Sequence, residues 1–305
     1  MPYHEHKFLE GGALKYVFMA HCKRLMSGGI SLMAYQDGKP VALLSAVKDE
    51  FDSEIFGMPC YRITDFVFNT GDVNEIQILS KALIEELERI LPAPNDKVHI
   101  AIGINNNVLN SDRIFNSLVR SGFYYIHTLL SFGLVEPDIE PVYLYPETGL
   151  SIRIANNADA AEVSGLASQS FRYSRFHLDP YLDNEKAGQL LCTSASNSIL
   201  QGFADIMFVA EIKGKIVGYY SAKKKHIPEL NKILGEVIVS AIDPEMRGMG
   251  VFTKLDHHIQ KWFFNNTDFA ELGTYLANYP VHKTWINKRL PLLRGTHQFS
   301  KLLIS

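Results

Sequence analysis

The stretch Val237-Ile-Val-Ser-Ala-Ile-Asp-Pro-Glu-Met-Arg-Gly-Met-Gly-Val-Phe-Thr-Lys-Leu255 reads as a buried strand, a proline-bearing corner, a glycine-spaced loop and the start of an amphipathic helix. Such a junction is built to hold phosphate. Glycines let the backbone approach an anion with no Cβ in the way, and the first-turn N–H groups of a helix point at it with the positive end of the macrodipole. Beyond the loop, Val251, Leu255, Ile259 and Trp262 or Phe263 recur at helical spacing and form a core stripe.

Outward from this junction, the chain repeats one order of elements. In the second half, strand 206–212 turns through Lys213-Gly214-Lys215 into strand 216–225, followed by strand 235–242, helix 250–265, strand 270–277, helix 280–288 and a last strand near 296–304. In the first half, strand 31–36 turns through Asp37-Gly38-Lys39-Pro40 into strand 41–48, followed by strand 60–68, helix 74–91, strand 97–104, helix 111–121 and strand 123–135. Hairpins rest on glycine turns between alternating runs, and helices on stripes such as Ile76, Leu79, Leu83, Leu87 and Ile90. Antiparallel hairpins joined to strand-helix-strand crossovers imply an α+β fold, a mixed sheet flanked by helices in each copy. Three prolines between Glu136 and Thr148 separate the copies, giving domains 1–136 and 149–305 and a linker 137–148.

The copies differ at the decisive junction. After Tyr61-Arg-Ile-Thr-Asp-Phe-Val-Phe68 the first runs into Asn69-Thr-Gly-Asp-Val-Asn-Glu-Ile76, with one glycine, no arginine and acidic residues at the helix start. An acidic helix start repels phosphate. The N-terminal domain is therefore read as degenerate, serving structure, dimerisation or one wall of an acceptor pocket.

Composition narrows the partners. At 305 residues and 47% apolar content each domain has material for its own core, and a net charge of -3 gives no global attraction for nucleic acid or an anionic membrane. Cys22, Cys60 and Cys192 are widely spaced, without a disulfide or zinc pattern, and are expected as buried thiols. His4 and His6 lie in a polar terminus and are expected to be solvated, with no metal assigned. The N-terminus lacks a signal-peptide pattern and no apolar run spans a bilayer, so the expected location is cytoplasmic, without membrane insertion.

Residues 237–255 resemble motif A of the GNAT superfamily of N-acetyltransferases, a Gln/Arg-x-x-Gly-x-Gly/Ala fingerprint that stands here as Arg247-Gly-Met-Gly-Val-Phe252. Strand Leu272-Gly-Thr-Tyr-Leu-Ala277 followed by Asn278 and a short helix matches the downstream pattern. The resemblance implies acetyl-CoA as cosubstrate. Its pyrophosphate would meet the amides of Gly248, Met249, Gly250, Val251, Phe252 and Thr253 near Arg247, pantetheine would meet Asn278, and an amide near Ala241 or Ile242 would polarise the thioester carbonyl. Phe252 departs from the final Gly/Ala, so either its ring enters the core beneath the helix or the loop opens.

A narrower resemblance covers nearly the whole chain. Phe51-Asp-Ser-Glu-Ile-Phe-Gly57, Ser121-Gly-Phe123 and Ser174-Arg-Phe-His-Leu-Asp-Pro180 are similar to two-domain TDP-fucosamine-type N-acetyltransferases, which implies a nucleotide-linked amino-dideoxy sugar as acceptor. Phe56-Gly57 reads equally as a strand end packed on the core. Arg175, His177 and Asp179 would read the acceptor; alternatively Asp179 caps the following helix with Pro180 in its first turn. The loop lies between helices expected at 157–171 and 183–193.

Acetyl transfer needs a neutral amine and a proton for the departing thiolate. Glu236 and His177 are candidate bases, with a solvated strand end and a loop hydrogen bond as the alternative readings. The tyrosine that relatives place seven residues after the asparagine is Trp285 here, and indole cannot serve as the acid. Tyr279 and Tyr275 are the neighbouring phenols. Lys223-Lys-Lys-His226 reads as a solvated strand end, with nucleotide phosphate as the alternative. Other readings are acyl transfer to another small amine or a protein N-terminus, a non-catalytic coenzyme A-binding protein, and a homodimer as the assembly.

Overall fold

The structure is a computed structural model that describes residues 29–91, 97–107, 110–134, 149–170, 174–228 and 230–304. His4, His6, Cys22 and the linker expected at 137–148 lie outside these residues. The chain divides into two compact units, unit 1 comprising Met1–Leu129, Leu178–Asp183 and Arg294–Ser305, and unit 2 comprising Leu130–His177 and Asn184–Leu293.

In unit 1, β1 (Ile30–Gln36) and β2 (Lys39–Lys48) form the expected hairpin, whose turn puts Asp37 and Gly38 in the left-handed region. Helix α1 (Glu50–Phe56) leads into β3 (Cys60–Phe68), α2 (Val73–Ile90), β4 (Lys97–Asn105), α3 (Ser111–Arg120) and β5 (Tyr124–Gly133). β5 divides at Leu129, its later residues grouping with unit 2. The sheet runs β1-β2-β3-β4-β11-β5, where β11 (Leu292–Ile304) is the chain's last strand and pairs antiparallel with β4 from Thr296↔Asn105 to Ile304↔Lys97. Ile76, Leu83, Ile84 and Leu87 from α2 join Ile100, Ile102 and Phe299 in one core. Phe56-Gly57, for which a strand end was one reading, instead closes α1: the Asp49 carboxylate accepts from Asp52 N–H at its start and Gly57 ends it at φ 68°. These are ordinary helix start and stop signals on a seven-residue segment too short to show a period.

In unit 2, β6 (Leu150–Ile154), which the periodicity did not announce, precedes a 3₁₀ turn and α4 (Ala160–Ser170). Then come α5 (Arg175–Leu178), α6 (Asn184–Leu200), β7 (Ile206–Ile212), β8 (Lys215–Ile227), β9 (Lys232–Ile242), α7 (Val251–Asn266), β10 (Phe269–Tyr275) and α8 (Tyr279–Asn287). Helix α6 runs a further two turns past its expected end at residue 193. The sheet order is β5-β10-β9-β8-β7-β6, with β9 and β10 parallel and the β6-β7-β8-β9 run antiparallel. One face carries α7 through Val251, Leu255, Ile259 and Phe263; a separate cluster joins α4 and α6 to Met207, Val209, Tyr219, Val239 and Ala241. Gly235 allows the close approach of α7, since a Cβ there would lie 2.4 Å from Phe263 Cδ1. Cys60 is buried and Cys192 half-buried, and both are free thiols. Among the described residues no helix is long and apolar enough to cross a membrane.

Candidate functional site

The β9–β10 ladder is short. It comprises Phe269↔Leu234, Ala270↔Gly235 and Glu271↔Glu236, after which β9 continues to Ile242 and β10 to Tyr275 without further register between them. On its other edge β9 stays paired with β8 as far as Ile242↔Gly218. The β8–β9 register shifts between Tyr220 and Ala222, and buried Ser221 fills the irregularity, donating its hydroxyl to Val239 O at 3.1 Å and accepting from Val239 N–H at 3.3 Å. A strand with one edge released from its neighbour presents main-chain groups to an extended ligand.

The loop that follows is pinned at both ends. Asp243 Oδ2 lies 3.1 Å from Lys215 Nζ, Asp243 Oδ1 accepts from Glu245 N–H, and Asp243 N–H donates to Val217 O. The backbone bond from Glu245 and then the Lys215 ammonium hold the Asp243 carboxyl below its usual range. Arg247 donates to Ser170 O at 3.2 Å, satisfying a carbonyl at the C-terminus of α4. Gly248 and Gly250 lie at φ 80° and 75°. Gly250 is the N-cap of α7, without a side-chain cap hydrogen bond, and no acidic residue stands in the first turn. Nothing lies within 4 Å of a Cβ built on Gly248. These features fit a phosphate group: backbone donors at a positive helix end, no competing carboxylate, and room for close approach. Met249 is exposed and Val251 buried, Thr253 is half-buried, and Phe252 turns into the core, stacking on Tyr220 at 5.7 Å. The departure at Phe252 is thus accommodated by packing the half-buried ring against the core.

Trp285 is 1% exposed, and its Nε1–H donates to Asp256 Oδ1 at 3.0 Å. Fully buried Asp256 also accepts from Gln260 at 2.8 Å and Lys288 at 2.5 Å, so three donors satisfy its carboxylate. The indole is committed to the α7–α8 packing. Tyr279, the first residue of α8, is 61% exposed, its ring 5.3 Å from His282. Tyr275 ends β10; burial pushes its phenol pKa up, and its oxygen accepts from Arg175 N–H at 3.4 Å. Asn278 caps α8 in position only, its Nδ2 donating to Thr274 Oγ1 at 3.0 Å.

Alternation along the strands sorts the remaining groups. Ala270 packs beside Phe263 with the α7 cluster, and Gly235 abuts the same ring, so the half-buried Glu236 and Glu271 share the opposite face. Lys223 is the cross-strand partner of Glu236 on β8, where Lys223, Lys224, Lys225 and His226 are all exposed. Glu271 escaped the sequence reading because its place beside Glu236 depends on register. Ala241 is buried opposite Tyr219, and Ile242 O accepts from Ser170 Oγ at 3.2 Å.

In the loop before α6, the Arg175 guanidinium packs 4.1 Å over the Phe176 ring. His177 Nδ1 lies 2.7 Å from Ser174 Oγ, and burial lowers the imidazole pKa below its usual 6.5. Asp179 departs from both of its expected roles. It is 3% exposed, with Oδ2 2.8 Å from His99 Nε2 and Oδ1 accepting from Tyr181 N–H at 3.0 Å. One oxygen serves His99 and the other the loop's own backbone, so neither is open to an acceptor, and α6 begins only at Asn184, beyond its reach as a cap.

Residues 169–287 match the Acetyltransferase (GNAT) family. No curated protein matches the chain. Among solved structures, a GCN5-related N-acetyltransferase from Sphaerobacter thermophilus aligns at TM-score 0.56 and 12% identity over 90% of this chain and 81% of its own. A tandem GNAT protein from the clavulanic acid biosynthesis pathway aligns at 0.52 and 12% over 89% of this chain and 82% of its own. A GCN5-related glucosamine N-acetyltransferase region of a fungal multi-domain GH3 beta-N-acetylglucosaminidase aligns at 0.56 and 12%, covering 90% of this chain and 33% of that one. The chain therefore has the α+β tandem GNAT fold, and its segment 169–287, with the parted strands and glycine-capped helix, matches the GNAT acetyltransferase family.

Proposed function

We propose that this protein is an acetyl-CoA-dependent N-acetyltransferase acting on the amine of a nucleotide-linked (TDP) amino-dideoxy sugar, with its chemistry in unit 2. The observation that carries the reading is the end of the β9–β10 ladder at Glu236 and Glu271, immediately ahead of a helix start with glycines and no acid. The amides of Gly248 to Thr253, with Arg247 beside them, would hold the pyrophosphate of coenzyme A, and Asn278 the pantetheine. An amide at Ala241 or Ile242 would polarise the carbonyl. Bound acetyl-CoA supplies a thioester carbon for the amine to attack and a thiolate to leave.

The chain's own work is to move protons. His177, whose imidazole burial favours in its neutral form, donates Nδ1–H to Ser174 in one tautomer and keeps a lone pair at Nε2 for a proton from the amine. Glu236 is the second acceptor for that proton. Tyr275, the buried phenol, and Tyr279, the exposed one, are the candidates for returning a proton to sulfur, since Trp285 is locked to Asp256. Arg175 supplies a cation for the phosphates of the acceptor. The sugar class rests on the Ser174–Pro180 loop, and a glucosamine N-acetyltransferase region of the same fold is consistent with it.

Thiol release from acetyl-CoA, measured against a panel of TDP-amino-dideoxy sugars, tests the acceptor; silence across the panel removes it. Acyl transfer to another small amine or a protein N-terminus is favoured by Glu271 beside Glu236, since paired carboxylates attract an ammonium ion. The commitment of Trp285 favours a coenzyme A-binding protein without turnover. Calorimetric binding of coenzyme A without thiol release would select it.

A further inference from the structure

His99 has no part in the proposed chemistry, yet it reaches the chain segment that would read the acceptor. It lies on β4 and is 4% exposed; Asp179, eighty residues away in sequence, is 3% exposed. Their side chains meet at 2.8 Å, with Nε2–H donating to the Asp179 carboxylate. The other carboxylate oxygen holds Tyr181 N–H, Leu182 N–H bonds back to Asp179 O, and the Tyr181 ring packs edge-on against Tyr124 at 6.3 Å. The segment Leu178–Asp183 groups with unit 1. His99 is itself held, its backbone N–H donating to Pro59 O and its Cα registered between Cys60 and Leu302 on the flanking strands. A buried carboxylate needs its donor, so the position of Asp179 follows that of His99, which β4 holds between two paired strands.

We propose that His99 is a positioning residue for the acceptor: by fixing Asp179 it fixes the stem of the loop whose preceding residues, Arg175 and His177, carry the acceptor-reading groups. The inference deepens the proposed function and rests on it for the acceptor.

The test uses the full chain with His99→Leu, which removes the donor, and His99→Gln, whose amide N–H₂ sits near the position of Nε2. Hydrogen exchange of residues 174–183 is read first, with no substrate needed. Protection there should fall about tenfold in His99→Leu, stay near wild type in His99→Gln, and remain unchanged elsewhere in unit 1. Unchanged protection of 174–183 in His99→Leu, or loss spread through unit 1, overturns the proposal. On an amino-sugar acceptor, His99→Leu should raise the acceptor KM about tenfold with kcat and coenzyme A affinity held, and His99→Gln should restore it. An unmoved acceptor KM beside altered exchange also overturns it. Wild-type inactivity on every amino sugar defeats the proposed acceptor instead, and the exchange experiment then decides the anchor alone.

Discussion

Helices α2 and α7 occupy matching places in the two halves, each following a strand whose parallel partner soon leaves it. In unit 1 the β3–β4 ladder runs only from Cys60↔His99 to Ile63↔Ile102, and the β2–β3 register slips between Ser45 and Ala46, as β8–β9 slips in unit 2. The helix starts differ in charge. Asp72 caps α2 by accepting from Glu75 N–H at 2.9 Å, and Thr70 donates to the Glu75 carboxylate, so the first turn holds its own anions. At α7 the cap is Gly250 and the first turn has no acid. On the proposed reading, opening a sheet does not by itself reserve a place for phosphate; the choice falls to a few residues at the helix start, where a resident carboxylate and a bound anion would compete for the same amides.

The strongest way to break this contrast is Gly250→Val, which puts a branched side chain on a left-handed residue in the cradle. Coenzyme A affinity should fall about 1000-fold, ~4 kcal/mol, as two charge-assisted amide contacts are lost. Calorimetry returning the wild-type Kd would sink the cradle. A melting curve run alongside separates this from left-handed strain of ~1–2 kcal/mol.

His177→Gln tests whether the opened face does chemistry as well as binding. Burial holds the imidazole below 6.5, so the neutral, base-competent form accumulates as pH rises through that lowered pKa. The wild-type kcat/KM should therefore show an acid limb below 6.5. The variant should lose that limb and about 100-fold in rate, ~2.7 kcal/mol. A retained limb in the pH–rate profile assigns the base elsewhere, with Glu236→Gln the next variant to read.

Phe252→Ala removes the ring stacked on Tyr220. Denaturant unfolding should show a loss of about 2 kcal/mol while coenzyme A binding changes less than about tenfold. The reverse pattern would mean that Phe252 belongs to the cradle and not to the core.

Asp72→Ala is the mildest challenge. Losing the α2 cap should lower stability by ~1 kcal/mol, while calorimetry continues to count one coenzyme A per chain. A second binding event would show that one carboxylate closes the unit 1 site.

Much of the fold was readable because the signals are local. β3 at 60–68 and β7 at 206–212 stand where alternation put them, and α2 and α7 within a residue or two of their stripes. The final strand was foreseen, but its pairing with β4 was not, since a period of two names a buried face and never the neighbouring strand. Helix α1 was missed because a seven-residue helix shows no period, although Asp49 and Gly57 carried its caps. Within the candidate site, the glycine-spaced helix start was legible. Glu271 beside Glu236, Ser221 at the register shift, and the His99 partner of Asp179 were not.

The sequence by itself determined that α7 starts on glycines without acid, that α2 starts on its own carboxylates, and that Trp285 leaves no phenol at its position. Turn dihedrals, caps and helical period are properties of a few consecutive residues, so composition at those residues settles them. Only the tertiary structure decided where β9 and β10 part, that Phe252 sinks onto Tyr220, that Trp285 spends its N–H on Asp256, and that Asp179 answers to His99. Each of those depends on which distant groups the register and packing bring into contact, and hydrogen bonds and close packing act only at short range.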